Sequence, residues 1–201
     1  MHSRATTAKI EPPAIPGMEC AGVVHRTAGP LVVSSVLCAL AALGVGAGTT
    51  LIHGGGGLMA PAALSLRDGS LLALAVGALV GVGLCHEIAH ALAARWIAGL
   101  PWRRIGWGVS VRHLGVYCRI GGRVHVRDHR RIGLAPALGV ALPLALVSLI
   151  WGGDLGLIAA VVALLTLPQD LASLWQFRTF QPLDLVVGAA DGTPFVLRHR
   201  R

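Results

Sequence analysis

Four long apolar runs separated by polar segments dominate the chain. Leu31 to Ile52 is 22 residues without a formal charge. At 1.5 Å per residue it spans about 33 Å, enough to cross a hydrocarbon layer of about 30 Å. His53 and Gly54 to Gly57 then break the helix. Ser70 to Ala94 is a second run whose only formal charge is Glu87. Ile132 to Trp151 is a third, with Pro136 and Pro143 inside it, and Leu155 to Phe177 is a fourth, interrupted by Pro168 and Asp170. Prolines are tolerated in membrane helices because neighbours satisfy the freed carbonyls. The pattern predicts spans at 31–52, 70–94, 132–151 and 155–177.

The remaining segments read differently. Residues 1–30 are polar and carry Pro12, Pro13, Pro16 and Pro30, which predicts a loose leader. A cleavable signal peptide is not expected, because the first apolar run starts only at Leu31. Trp107 to Ile120 is rich in Val, Tyr and Trp and partly alternates, which predicts short strands rather than a helix. Gly121-Gly122 reads as a turn across which Arg123 to Val126 pairs back. In the tail, 181–201, Leu185 to Val187 and Phe195 to Leu197 flank the hairpin turn Asp191-Gly192. The expected fold is an all-α integral membrane protein. It has a four-helix unit over 31–180 and small cytoplasmic β-hairpin elements.

Composition agrees. Apolar residues are 54% of the 201 and charged residues 13%, about half the charge a soluble domain carries. Disorder is excluded on the same ground. Cys20, Cys38, Cys85 and Cys118 have no paired spacing, which excludes a disulfide-stapled module.

The formal charge of +8 is a topology signal. Arg4, Lys9 and Arg26 lie in the leader, nine arginines from Arg95 to Arg131 lie between spans two and three, and Arg178, Arg198, Arg200 and Arg201 follow span four. Only Arg67 lies between spans one and two, and none lies between three and four. The positive-inside rule puts both termini and the long middle segment in the cytoplasm. Alternation across four spans accounts for the arginines without nucleic acid, which is not an expected partner.

Span two contains His86-Glu87-Ile88-Ala89-His90, an H-E-x-x-H pattern. On a helix, positions i and i+4 share a face, so both imidazoles reach one metal ion. Glu87 is then beside the metal's water without being a ligand, the arrangement of zinc hydrolases. The composition gives about 0.006 chance matches to this pattern. A central charged group in a membrane helix costs about 2.5 to 3.5 kcal/mol on insertion scales, so such groups are usually functional.

Catalytic zinc takes three protein ligands and keeps one position open. Asp170 is the only carboxylate in the body of span four, eight residues before Arg178. The midpoint of the histidine pair lies seven residues before Arg95. Both helices run toward the cytoplasm, so the groups sit at similar depth, about 10 to 12 Å from the basic boundary. The expected set is therefore Zn2+ on His86, His90 and Asp170, with Glu87 as general base. A helix cap or kink partner after Pro168 is the alternative for Asp170. Asp154 is too far, and Asp184 begins the tail strand.

Other candidates are weaker. Cys85 points about 100° from His86 and is expected to pack. Cys118 is expected to be a free thiol. His113, His125 and His129 are expected at the surface and His53 in a loop. Trp102, Trp107 and Trp151 fall near interfaces, and Gln169 and Gln176 are available to a peptide.

HEIAH in an apolar helix, followed by an aspartate in a later one, resembles the site-2-protease type of intramembrane metallopeptidase. The similarity is closer to a small bacterial zincin-peptidase family defined by a domain of unknown function. It spans roughly Ser70 to Arg198 and includes HEIAH, HLGVYCRI and PQDLASLWQFRTFQPLDLVVGAADGTPFVLRHR. The resemblance implies a bacterial cell membrane protein, zinc on His86, His90 and Asp170, and a peptide or membrane-protein substrate. Two features depart from the site-2 type: Asp170 is followed by Leu171 rather than glycine, and no PDZ domain is present. A membrane metal transporter or sensor using the same residues is the rival expectation.

Overall fold

The computed structural model describes residues 15–24, 28–53, 69–110, 115–152, 154–188 and 194–200. Its helices are α1 (Ala28–Ile52), α2 (Gly69–Trp96), α3 (Val126–Pro136), α4 (Leu142–Trp151), α5 (Asp154–Thr166) and α6 (Pro168–Phe177). Its strands are β1 (Met18–Val23), β2 (Ile105–Ser110), β3 (Gly115–Ile120), β4 (Arg123–His125), β5 (Leu185–Gly188) and β6 (Pro194–His199). Four helical stretches are long and apolar enough to cross a membrane: Ala28–Ile52, Val76–Trp96, Val126–Trp151 and Leu155–Phe177.

Two of these stretches are irregular, and prolines mark both. Between α3 and α4 the helix loosens into a π-turn over Ala137–Ala141. Pro136 and Pro143 flank it, each lacking the N–H that would bond the carbonyl four residues back. The fourth stretch is broken at Leu167, and α6 restarts with Pro168 in its first turn, where the missing N–H costs nothing.

α1 meets α4, α5 and α6 through a stripe of small residues, Ser34, Cys38, Ala42, Gly46 and Thr49, while Leu31, Val36, Leu40 and Leu43 face outward. An outward face this apolar suits lipid, not water. Thr49 and Ser148 hydroxyls lie 3.4 Å apart inside the bundle. The His53 ring reaches the Leu149 carbonyl at 3.1 Å, beside Gly152, whose φ of 68° ends α4. His53 therefore ties α1 to α4 rather than sitting free in a loop.

The β elements form two antiparallel sheets. β2 and β3 pair over Ile105↔Ile120 to Ser110↔Gly115. The Tyr117 ring lies where a Cβ on Gly108 would be, so only glycine fits opposite it. The second sheet has the order β1-β6-β5-β4. Here the structure corrects three expectations. The leader is not loose throughout, because Met18–Val23 pairs with β6. The stretch after Gly121-Gly122 does not pair back on β3; Arg123–His125 pairs with β5. The middle segment also ends sooner, because α3 begins at Val126 rather than Ile132. β5 and β6 pair as expected, but within this four-stranded sheet; their Asp191-Gly192 turn lies outside the described residues.

The sheet is bolted to the helices. Val126, Phe177, Val186 and Val196 form one buried cluster. The Arg130 Nη2 donates to the Phe177 and Phe180 carbonyls at 2.6 and 2.9 Å, capping the end of α6. Asp184, 3% exposed, accepts from Arg198 Nε at 2.9 Å and Nη2 at 2.6 Å and from the Gln181 N–H at 2.9 Å.

The Arg198 hydrogen bonds hold the Asp184 carboxyl below its ordinary range, against the opposing effect of burial. A depressed folded value adds stability above the unfolded value, about 3.9, that is lost as pH falls through the folded one. Thermal melts of the purified protein from pH 7 to pH 3 should therefore show a steep acid loss. Asp184→Asn should lower Tm at pH 7 and flatten that loss. An unchanged acid limb in the variant would remove Asp184 from this role.

Candidate metal centre

The site begins with α2. His86 and His90 share one face, and their rings stand 5.0 Å apart at 78°. That face turns toward α3, α5 and α6, so His86 is 7% exposed although Cys85 beside it is exposed on the outer face. α6 supplies the third group. Because the chain breaks at Leu167, Asp170 stands in the first turn of a new helix. Its Oδ2 lies 3.0 Å from His86 Nε2 and its Oδ1 3.3 Å from His90 Nε2.

The opposite ring nitrogens show which tautomers are present. His90 Nδ1 lies 3.0 Å from the Ile132 carbonyl. A carbonyl only accepts, so Nδ1 carries the proton. Ile132 is available because its helical donor would be residue 136, and Pro136 has no N–H. His86 Nδ1 lies 3.1 Å from Thr166 Oγ1, whose own hydroxyl donates to the Ala163 carbonyl at 2.8 Å. The hydroxyl is thereby left as acceptor, and His86 Nδ1 donates. With Nδ1 committed in this way, each ring turns its Nε2 toward the carboxylate.

Positive charge shared among the three groups, from a metal ion or from a proton on Nε2, offsets the repulsion between lone pairs at about 3 Å. Asp170 Oδ2 is buried without a hydrogen-bond partner, even at 3.0 Å from His86 Nε2. The three ligand atoms lie within 4.8 Å of one another. Ligands about 2.0 Å from a tetrahedral ion are separated by about 3.3 Å, a spacing that lies inside the 4.8 Å spread of these atoms. Two nitrogens and one carboxylate oxygen also suit zinc chemically. The residues fit the ion.

Glu87 is adjacent but not a member of the cluster. Its Oε2 accepts the Cys118 backbone N–H at 2.6 Å, so β3 runs beside α2 with that amide turned away from β2. The Cys118 thiol is pushed up to about 11, by burial first and by the Glu87 charge second, so it stays protonated at neutral pH.

The sequence brought His86, His90, Asp170 and Glu87 into view. Pro136 followed four residues after Ile132 was a readable signal for a free carbonyl; nothing in the sequence pointed to Thr166 or the Cys118 amide. Other candidates lie elsewhere. His125 Nδ1 meets the Leu183 carbonyl at 3.1 Å, and His129 packs on Phe177 at 4.4 Å rather than at the surface. Gln169 is exposed and Gln176 half-buried. Trp102, Trp107 and Trp151 are exposed. Asp154 starts α5, outside the cluster. His113 lies outside the described residues.

No family model matches the chain, and no curated protein or solved structure matches it.

Elemental analysis of the purified protein should find about one zinc per chain, lost in His86→Ala and Asp170→Ala. Thr166→Val should keep the metal but weaken it roughly 10- to 100-fold in chelator competition, as loss of a ligand-orienting partner does. Equal metal content in wild type and Asp170→Ala would remove α6 from the site.

Proposed function

We propose that the protein is a zinc-dependent intramembrane metallopeptidase of the site-2 type, hydrolysing peptide bonds near one membrane surface. The observation that carries this reading is the convergence of two Nδ1-anchored imidazoles and one carboxylate beside the glutamate of H-E-x-x-H. The apolar outward face of α1 supports the bilayer as the protein's surroundings. The arginine distribution supports cytoplasmic placement of both termini and of the β layer.

His86, His90 and Asp170 would hold the ion. Zinc, when bound, supplies a Lewis acid for the scissile carbonyl and lowers the pKa of water toward about 7. Thr166 and the Ile132 carbonyl fix the two rings, so neither has to reorient during turnover. Glu87 takes a proton from the attacking water and hands it to the leaving amine. The Cys118 N–H holds one of its oxygens, which leaves Oε1 for that proton. An unwound substrate segment would be held by strand addition to the β2–β3 segment.

A transporter would need a polar path through the bundle. The buried polar side chains of α1 and α4 among the described residues are the hydroxyls Ser34, Thr49 and Ser148, which are poor stations for a divalent ion. Metal flux into liposomes would reverse this ranking.

Glu87→Gln should retain zinc and lose cleavage of a labelled transmembrane-helix peptide by roughly 10²- to 10⁴-fold, the usual worth of a general base. A chelator should abolish wild-type cleavage and added zinc restore it. Full activity of Glu87→Gln would refute the base assignment.

A further inference from the structure

A second site lies on the outer side of the bundle, between the start of α1 and the end of α6. A groove of about 580 Å³ runs there, lined by Gly29, Val33 and Leu37 on one wall and Leu171, Leu174 and Trp175 on the other. Arg178 stands at its mouth, with its guanidinium 3.6 Å from the centre of the Trp175 ring. That stacking orients the cation. Arg178 takes part in none of the ion pairs among the described residues.

From Gly29 to Leu37 the groove follows about 12 Å of helix, and its apolar walls suit a hydrocarbon chain lying along it. Charge selects the rest of the molecule. The groove is apolar apart from buried Ser34 and the cation at its mouth, and a Trp–Arg pair at the end of a spanning helix marks headgroup level.

We propose that this groove is a binding site for one anionic phospholipid, its acyl chain between α1 and α6 and its phosphate on Arg178. The site rests on the reading of the four helices as membrane spans and is independent of zinc and of hydrolysis. A lipid there lies against the helix that carries Asp170, one residue from Leu171.

The test uses the full chain in detergent and lipids with brominated acyl chains, which quench nearby tryptophan. Trp175→Phe identifies the Trp175 share of the fluorescence. Brominated phosphatidylglycerol should quench that share saturably, at a concentration roughly fivefold lower than brominated phosphatidylcholine, the preference one arginine confers near anionic lipid. Arg178→Gln should bring the two lipids together. Gly29→Phe, which adds a ring where a Cβ meets nothing within 4 Å, should remove the saturable quenching. Equal quenching by both lipids in the wild type, or a preference that survives Arg178→Gln, would overturn the site. Retention in vesicles through an alkaline wash tests the membrane reading separately. A chain released by the wash overturns both readings; a retained chain without headgroup preference overturns the lipid site alone.

Discussion

A carboxylate wedged between two imidazole Nε2 atoms inside an apolar bundle is held only if positive charge lies among them. With both Nδ1 protons committed to Thr166 and Ile132, the positive charge that Asp170 needs comes from a proton on Nε2 or from a metal ion. Moving the carboxylate into the apolar surroundings would leave a buried charge unpaired, which costs several kcal/mol. The side-chain contact between α2 and α6 therefore depends on the charge at this one point.

The helix irregularities serve this point. The fourth stretch keeps helical dihedrals through Leu167, so Thr166 and Asp170, four residues apart, both reach His86, the hydroxyl at Nδ1 and the carboxylate at Nε2. Pro136 acts on the other side by freeing the Ile132 carbonyl for His90. The proline that interrupts one helix thus creates the acceptor that orients His90 on its neighbour. The β layer then closes the remaining side, where the Cys118 amide of β3 fixes Glu87.

Much of this was legible in the sequence. Run lengths gave the four apolar helices to within a few residues at most ends, because a bilayer-length apolar run has few alternatives. The i, i+4 spacing placed both imidazoles on one face, and the depth estimate matched Asp170 to them. The pairings of Met18–Val23 with β6 and of Arg123–His125 with β5 were not legible. Both join segments far apart in sequence, and a three-residue strand has no periodicity of its own. The start of α3 was missed because Arg127, Asp128, Arg130 and Arg131 read as a surface segment. In the structure Arg130 is spent on the end of α6, and Asp128 lies within 4.0 Å of both Arg127 and Arg131. Thr166 looked like one more small residue in an apolar run.

The most direct measurement is zinc-edge X-ray absorption on the purified wild-type protein. The account predicts a shell of nitrogen and oxygen at about 2.0 to 2.1 Å, with scattering from two imidazole rings and no sulfur. A sulfur shell at about 2.3 Å, or a shell without imidazole, would contradict it.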